Sequence, residues 1–104
     1  MTVVLAEDHL LVRQGIRMLL EREKFEILGE AADGLEAIRL AQQHQPDVVI
    51  IDLAMPNLNG IGAAGEIRKV SPRTKTILLT MHTEEHYILE AWSKCRVARF
   101  FVTR

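Results

Sequence analysis

The sequence predicts an α/β domain, a doubly wound parallel sheet of five strands with helices on both faces. Three observations carry that prediction. Short apolar runs rich in β-branched residues alternate with segments of helical periodicity, Pro and Gly punctuate the joints, and acidic or hydroxyl residues close the runs instead of interrupting them. Strict alternation of strand and helix calls for parallel strands joined by right-handed crossovers, a sheet that must be covered on both sides.

The first strand is Thr2-Val3-Val4-Leu5-Ala6, closed by Glu7 and Asp8. Val12, Ile16, Leu19 and Leu20 then recur at helical spacing, with Arg13, Gln14, Arg17 and Glu21 opposite, which predicts a helix over about 9–23 with that aliphatic set as its apolar face. Residues 25–32 read as the second strand. Asp33 is an N-cap with Glu36 at the third helical position, and Leu35, Ile38 and Ala41 form an apolar stripe up to Gln43. Pro46 stops that helix before the third strand, Asp47-Val48-Val49-Ile50-Ile51-Asp52. A third helix over about 60–70 contains Gly62 and Gly65, each costing on the order of 1 kcal/mol relative to Ala, so packing must hold it. Ser71-Pro72 breaks to a fourth strand, Thr76-Ile77-Leu78-Leu79-Thr80. Thr83 caps a fourth helix with Glu84 and Glu85 in its first turn and Ile88, Ala91, Trp92 and Cys95 on one face, and 97–103 is the last strand.

Crossovers of one hand bring the strand C-termini to a common crevice, and the residues there are chemically distinctive. Asp52 ends a buried strand and enters a loop containing Pro56 and Gly60. Taken alone, it also reads as an Asx-turn residue. Glu7 and Asp8 close the neighbouring strand, although Asp8 on its own equally reads as a helix cap and Glu7 as a solvated charge. Together the three carboxylates repel one another and call for a cation. Hard oxygen ligands with no Cys/His cluster suit Mg²⁺ better than zinc. Thr80 adds a hydroxyl at the same edge, able to donate to a phosphate oxygen.

Composition excludes several function classes. At 104 residues the chain is one domain, 1–104. A net charge of -1 and a pI near 6.4 leave no electrostatic footprint for nucleic acid, and Lys94, Arg96, Arg99 and Arg104 read as scattered surface charge. Cys95 is the one cysteine, which excludes an internal disulfide and fits a reducing compartment. No apolar run has membrane-spanning length and no signal pattern opens the chain, so a cytoplasmic protein with no membrane partner is expected.

Several stretches form a recognisable series: Val4-Leu5-Ala6-Glu7-Asp8-His9, then Glu30-Ala31-Ala32-Asp33-Gly34-Leu35-Glu36-Ala37, Pro46-Asp47-Val48-Val49-Ile50-Ile51-Asp52, Met55-Pro56 with Gly60, and Leu79-Thr80-Met81-His82. On these residues the chain resembles the receiver domains of two-component response regulators, especially those at the front of NarL/FixJ-type (LuxR-tailed) transcription factors. The resemblance implies a flavodoxin/receiver-like (βα)5 fold. It implies that Asp52 accepts a phosphoryl group from a histidine kinase, that Glu7, Asp8, Asp52 and the Ala54 backbone carbonyl bind Mg²⁺, that Thr80 is the switch hydroxyl and that Phe101 is the switch aromatic. Such a domain is not a turnover enzyme, though it assists its own phosphorylation and dephosphorylation, and it switches an output such as transcription.

The C-terminal end departs from the family pattern. Where such domains carry a lysine that bonds the phosphate, this sequence offers only Arg104 as a stand-in, and Lys94 falls in the fourth-helix region. The fifth helix and the output domain are absent from the sequence, which reads as truncation or alteration. Two consequences are expected. A pseudo-receiver, an interaction module that signals without phosphorylation, stands as the alternative. Apolar surface near Phe100, Phe101 and Val102 favours a homodimer or other self-association through the fourth-helix and last-strand region. A flavin-binding module of the same architecture fits less well, because Glu7 and Asp8 would repel an anionic cofactor where its phosphate would sit.

Overall fold

Alternation along two strands sets the layers of this molecule. In β1 (Thr2–Ala6), Val4 and Ala6 face one side of the sheet while Val3 and Leu5 face the other, and β3 (Val48–Asp52) divides Val49 and Ile51 from Val48 and Ile50 in the same way. Strands apolar on both faces belong at the centre of a covered parallel sheet. The structure is a computed structural model describing residues 1–52, 55, 57–58, 60–80 and 99–102, the side chains of Thr80 and 99–102 excepted.

Between and after these strands come α1 (Leu10–Arg22), β2 (Glu26–Ala31), α2 (Gly34–His44), α3 (Gly60–Val70), β4 (Lys75–Thr80) and β5 (Arg99–Val102). All neighbouring strands pair in parallel in the order β2-β1-β3-β4-β5. The expected five-stranded doubly wound sheet is therefore present. The chain leaves β1 toward β2 and returns to the other side of β1 as β3, so the winding reverses between β1 and β3 and opens a crevice at their C-terminal ends. A register shift between Val3 and Val4 lets β2 carry one extra residue against β1.

The larger core lies between the sheet and the α2/α3 layer, where Leu40, Ala41, Ile61, Ala64 and Ile67 meet Val4, Val49, Ile51 and Leu78. Leu5, Ile51, Ile67 and Leu78 are among the largest fully buried side chains, each worth roughly 1.5–3 kcal/mol of transfer free energy. Gly60, Ile61, Ala63, Ala64 and Ile67 of α3 are buried, which is the packing its two interior glycines require. On the opposite face α1 covers Val3, Leu5, Val48 and Ile50 through Ile16 and Leu20.

Two helix faces differ from expectation. Val12 and Leu19 of α1 were expected to pack and instead are 45% and 60% exposed, and no residue of α1 is fully buried. The helix is turned so that Ile16 and Leu20 meet the sheet, while Arg13 lies beside β2 with its guanidinium against Glu30. In α2, Leu35 is 58% exposed while Gly34, Ala37, Leu40 and Ala41 are buried. Small residues at the start of α2 bring its backbone close to the loop after β3: a β-carbon on Gly34 would stand 2.1 Å from the Leu58 carbonyl oxygen. The predicted fourth helix with Thr83, Lys94 and Cys95, the ends of the predicted last strand, Ala54 and Arg104 lie outside the described residues.

At the sheet's other end a polar knot joins α2 to α3. Gln45 adopts the left-handed conformation (φ 47°, ψ 56°) that ends α2, and its Nε2 donates to the Ala41, Gln42 and Val70 carbonyls. Ser71 Oγ donates to Gln45 Oε1, and Thr74 Oγ1 donates to the Pro46 carbonyl. Backbone oxygens at the ends of α2 and α3 and before β3 thus accept from side chains.

Candidate functional site

Glu7 and Asp8 follow β1 directly, and Asp52 is the last residue of β3. Adjacent parallel strands bring these ends together, with Ala6 opposite Ile51 in the register. One ligand atom from each of Glu7, Asp8, His9 and Asp52 lies within 4.8 Å of the others. Glu7 is 3% exposed and Asp52 7%, whereas the Asp8 side chain is 29% exposed, so the cluster is buried at its base and open at one side.

The turn that carries this cluster is tied on several sides. The Glu7 N–H donates to the Ala31 carbonyl at 3.0 Å, and Glu7 Oε1 accepts from the His9 backbone N–H at 3.0 Å. The His9 ring turns into the same group: Nδ1 lies 3.1 Å from Glu7 Oε1 and 3.2 Å from Asp8 Oδ1. The hydrogen bond to Glu7, followed by the charges of Asp8 and Glu7, holds the imidazole above its ordinary value, which favours an imidazolium between two carboxylates. His9 is also the N-cap residue of α1, with no side-chain capping bond. Sequence reasoning quoted His9 within a motif and gave it no role. The available signal was three titratable residues in a row at a strand end.

The donor set fits a divalent cation of the Mg²⁺ kind. Three carboxylates supply hard oxygens, and one open side leaves room for water or a phosphate oxygen. Around this cluster the loop after β3 is pinned to α2: Asp33 Oδ1 caps the helix by accepting from Glu36 N–H at 2.8 Å, and Asp33 Oδ2 accepts from Asn57 Nδ2 at 3.0 Å. Those two bonds, the backbone one first, hold the Asp33 carboxyl below its ordinary value. The cap at Asp33 was expected; the Asn57 link was not, since nothing local in sequence pairs residues from different loops.

The predicted site residues fall into three groups. Glu7, Asp8 and Asp52 come together. Thr80 ends β4 one residue past Leu79, the partner of Asp52 in the register, and Phe101 lies in β5 opposite Leu79, so both backbones run along this end of the sheet. Ala54 and Arg104 are outside the described residues.

A parallel sheet wound in this order, with paired acids after its first strand and an aspartate ending its third, defines a receiver-type α/β domain. Residues 3–101 match the response regulator receiver domain, and the chain belongs to that family, as a receiver of a NarL/LuxR-type two-component response regulator. It is 43% identical over 90 residues to the oxygen regulatory protein NreC of Staphylococcus carnosus, covering 85% of this chain and 42% of that protein. To the transcriptional regulatory protein YdfI of Bacillus subtilis it is 38% identical over 89 residues, covering 85% and 41%. The chain thus spans less than half the length of the curated relatives it matches. Among solved structures, a DNA-binding response regulator of the LuxR family from Staphylococcus aureus superposes with a TM-score of 0.90 at 31% identity, covering 97% of this chain and 84% of that one. Among the described residues, no helix is long and apolar enough to cross a membrane.

Proposed function

We propose that residues 1–104 form one phosphoacceptor domain in which Asp52 receives a phosphoryl group from a histidine kinase with the help of Mg²⁺. The observation that carries this reading is the buried Asp52 carboxylate at the end of β3, with ligand atoms of Glu7, Asp8 and His9 within 4.8 Å. An Asp52 oxygen attacks phosphorus in line, the P–O bond forms as the P–N bond of the donor phosphohistidine breaks, and the electron pair leaves with the imidazole nitrogen. Glu7, Asp8, Asp52 and the Ala54 carbonyl would hold the cation. When bound, Mg²⁺ would offset the charge of the carboxylates and of the phosphoryl oxygens.

The chain's own contribution is positioning. A short turn fixed by backbone bonds holds Glu7, and the central strand holds Asp52, so little reorganisation is needed at transfer. Thr80 follows the phosphate as the switch hydroxyl and Phe101 follows Thr80, with Arg104 in the place of the family lysine. The whole regulator would act in the cytoplasm and turn this switch into a transcriptional output. DNA contact would belong to an output domain, and self-association would run through the fourth-helix and last-strand region. No observation favours the interaction-only reading.

Intact-mass measurement after brief incubation with a small-molecule phosphodonor tests the proposal. Wild type with Mg²⁺ should gain one phosphoryl group, while Asp52→Asn or removal of Mg²⁺ should abolish the gain. Folded wild-type protein that stays unmodified would overturn it.

A further inference from the structure

The turn between β1 and α1 presents two of the pocket's carboxylates, and a side chain outside the pocket holds that turn. Arg13, in the first turn of α1, donates from Nη1 to the Glu7 carbonyl oxygen at 3.0 Å. Its Nε lies 3.2 Å from Oε1 of Glu30, near the end of β2. That second contact is an ion pair by distance and not an aligned hydrogen bond, since Nε is buried without a hydrogen-bond partner. Glu30 is braced in turn: Arg17 Nη1 donates to its Oε2, and Arg17 Nε donates to Glu21 Oε1 at 2.6 Å. The side chains of Arg13 and Glu30 are 19% and 25% exposed, so solvent and salt screen this pair less than they would an open surface pair.

We propose that Arg13 is a positioning residue for the acidic pocket, fixing through Glu30 and the Glu7 carbonyl the turn that presents Glu7 and Asp8 to a divalent cation. This rests on the Mg²⁺-dependent reading of the site. Arginine suits the task because its planar fork meets a carbonyl and a carboxylate in two directions at once, which a lysine ammonium on a flexible stem does not. Arg17 shares Glu30 with Arg13, yet its bonds go to Glu30 and Glu21 and not to the turn. Position relative to the turn, more than charge, separates the two arginines.

The test compares wild type with Arg13→Ala, Arg13→Lys and Arg17→Ala by two readouts. Calorimetric titration gives Mg²⁺ affinity, and amide hydrogen exchange of the peptide 5–10, measured without metal, reports the turn itself. Arg13→Ala should weaken Mg²⁺ about tenfold, the scale on which losing an outer partner of a metal ligand acts, and should speed exchange at the Glu7 and His9 amides. Arg17→Ala should stay within about twofold in affinity, as expected for an exposed ion pair, with wild-type exchange at the turn. Arg13→Lys keeps the charge and should fold, but should lose affinity and protection in the same direction as Arg13→Ala; it carries the test if the alanine variant fails to fold. Wild-type exchange at the turn in the Arg13 variants, or an equal loss in Arg17→Ala, overturns the proposal. A wild type that takes up no Mg²⁺ overturns the functional reading alone, and the metal-free exchange still decides the positioning.

Discussion

Thr2 and Asp47 hold each other across the starts of β1 and β3: Thr2 N and Oγ1 donate to Asp47 Oδ2 at 2.8 and 3.1 Å, and Asp47 N donates to Thr2 Oγ1 at 2.9 Å. The backbone bond first, and the hydroxyl bond second, hold the Asp47 carboxyl below its ordinary value. A carboxylate depressed in the folded state contributes stability that is present above its unfolded pKa and is lost as pH falls through the folded one. The molecule should therefore lose part of its stability below about pH 4, in the carboxylate range. Thermal melts from pH 6 to 2.5 should show a shallower acid loss in Asp47→Asn than in wild type. Identical slopes would remove this pair from the acid response.

Asp8 is the pocket carboxylate with an open side. Replacing it by Asn removes a ligand, and it removes a repelling charge together with a partner of His9, so Asp8→Asn should flatten the rise of the melting temperature with Mg²⁺ while changing the metal-free value little. Melts across a Mg²⁺ series check this. A mutant with an undiminished Mg²⁺ response would exclude Asp8 from the site.

Asp33 caps α2 and holds Asn57 with its two oxygens. Asp33→Ala should cost about 1 kcal/mol for the cap alone, and Asn57→Ala a smaller amount, since it leaves the cap in place. Urea unfolding of both single mutants and the double separates the two bonds. Strict additivity would mean that they act independently.

Gln45 combines a left-handed backbone with side-chain bonds to both helix ends. Gln45→Ala keeps the unfavourable backbone angle and gives up the bonds to the exposed Val70 carbonyl and to Ser71, which retains Thr74 as a partner, so it should destabilise by about 1 kcal/mol. Chemical denaturation measures the loss. An effect below a few tenths of a kcal/mol would mean that water replaces the side chain.

Local signals in the sequence were enough for the five strands, the first three helices and the meeting of Glu7, Asp8 and Asp52. A strand end is visible where an apolar run meets an acid, and parallel winding does the rest. The cap at Asp33 is equally local: a side chain bonds a backbone amide three residues on. What escaped was set by partners distant in the chain. Arg13 seemed part of a solvent face because helical periodicity cannot reveal that Glu30 of another strand awaits it. Leu19 and Leu35 looked like core because hydrophobicity marks a residue as able to pack, while the rotation of each helix on the sheet decides which ones do. Gln45 gave no signal at all, since its bonds to Val70 and Ser71 exist only once α2 and α3 lie side by side.

The close approach of Gly34 to the Leu58 carbonyl also bears on the order in which the chain assembles. It joins the start of α2 to the loop that follows β3, positions 24 residues apart, so closing that stretch has an entropic cost and the contact is expected to form late. Crowding this point, as Gly34→Ala would, acts late on the folding route. Its penalty of about 1–3 kcal/mol should therefore appear mainly in a faster unfolding arm of the chevron, with the refolding rate little changed. The start of α2 is in this sense a latch that governs how long the native state lasts, and it has little influence on how quickly that state is reached.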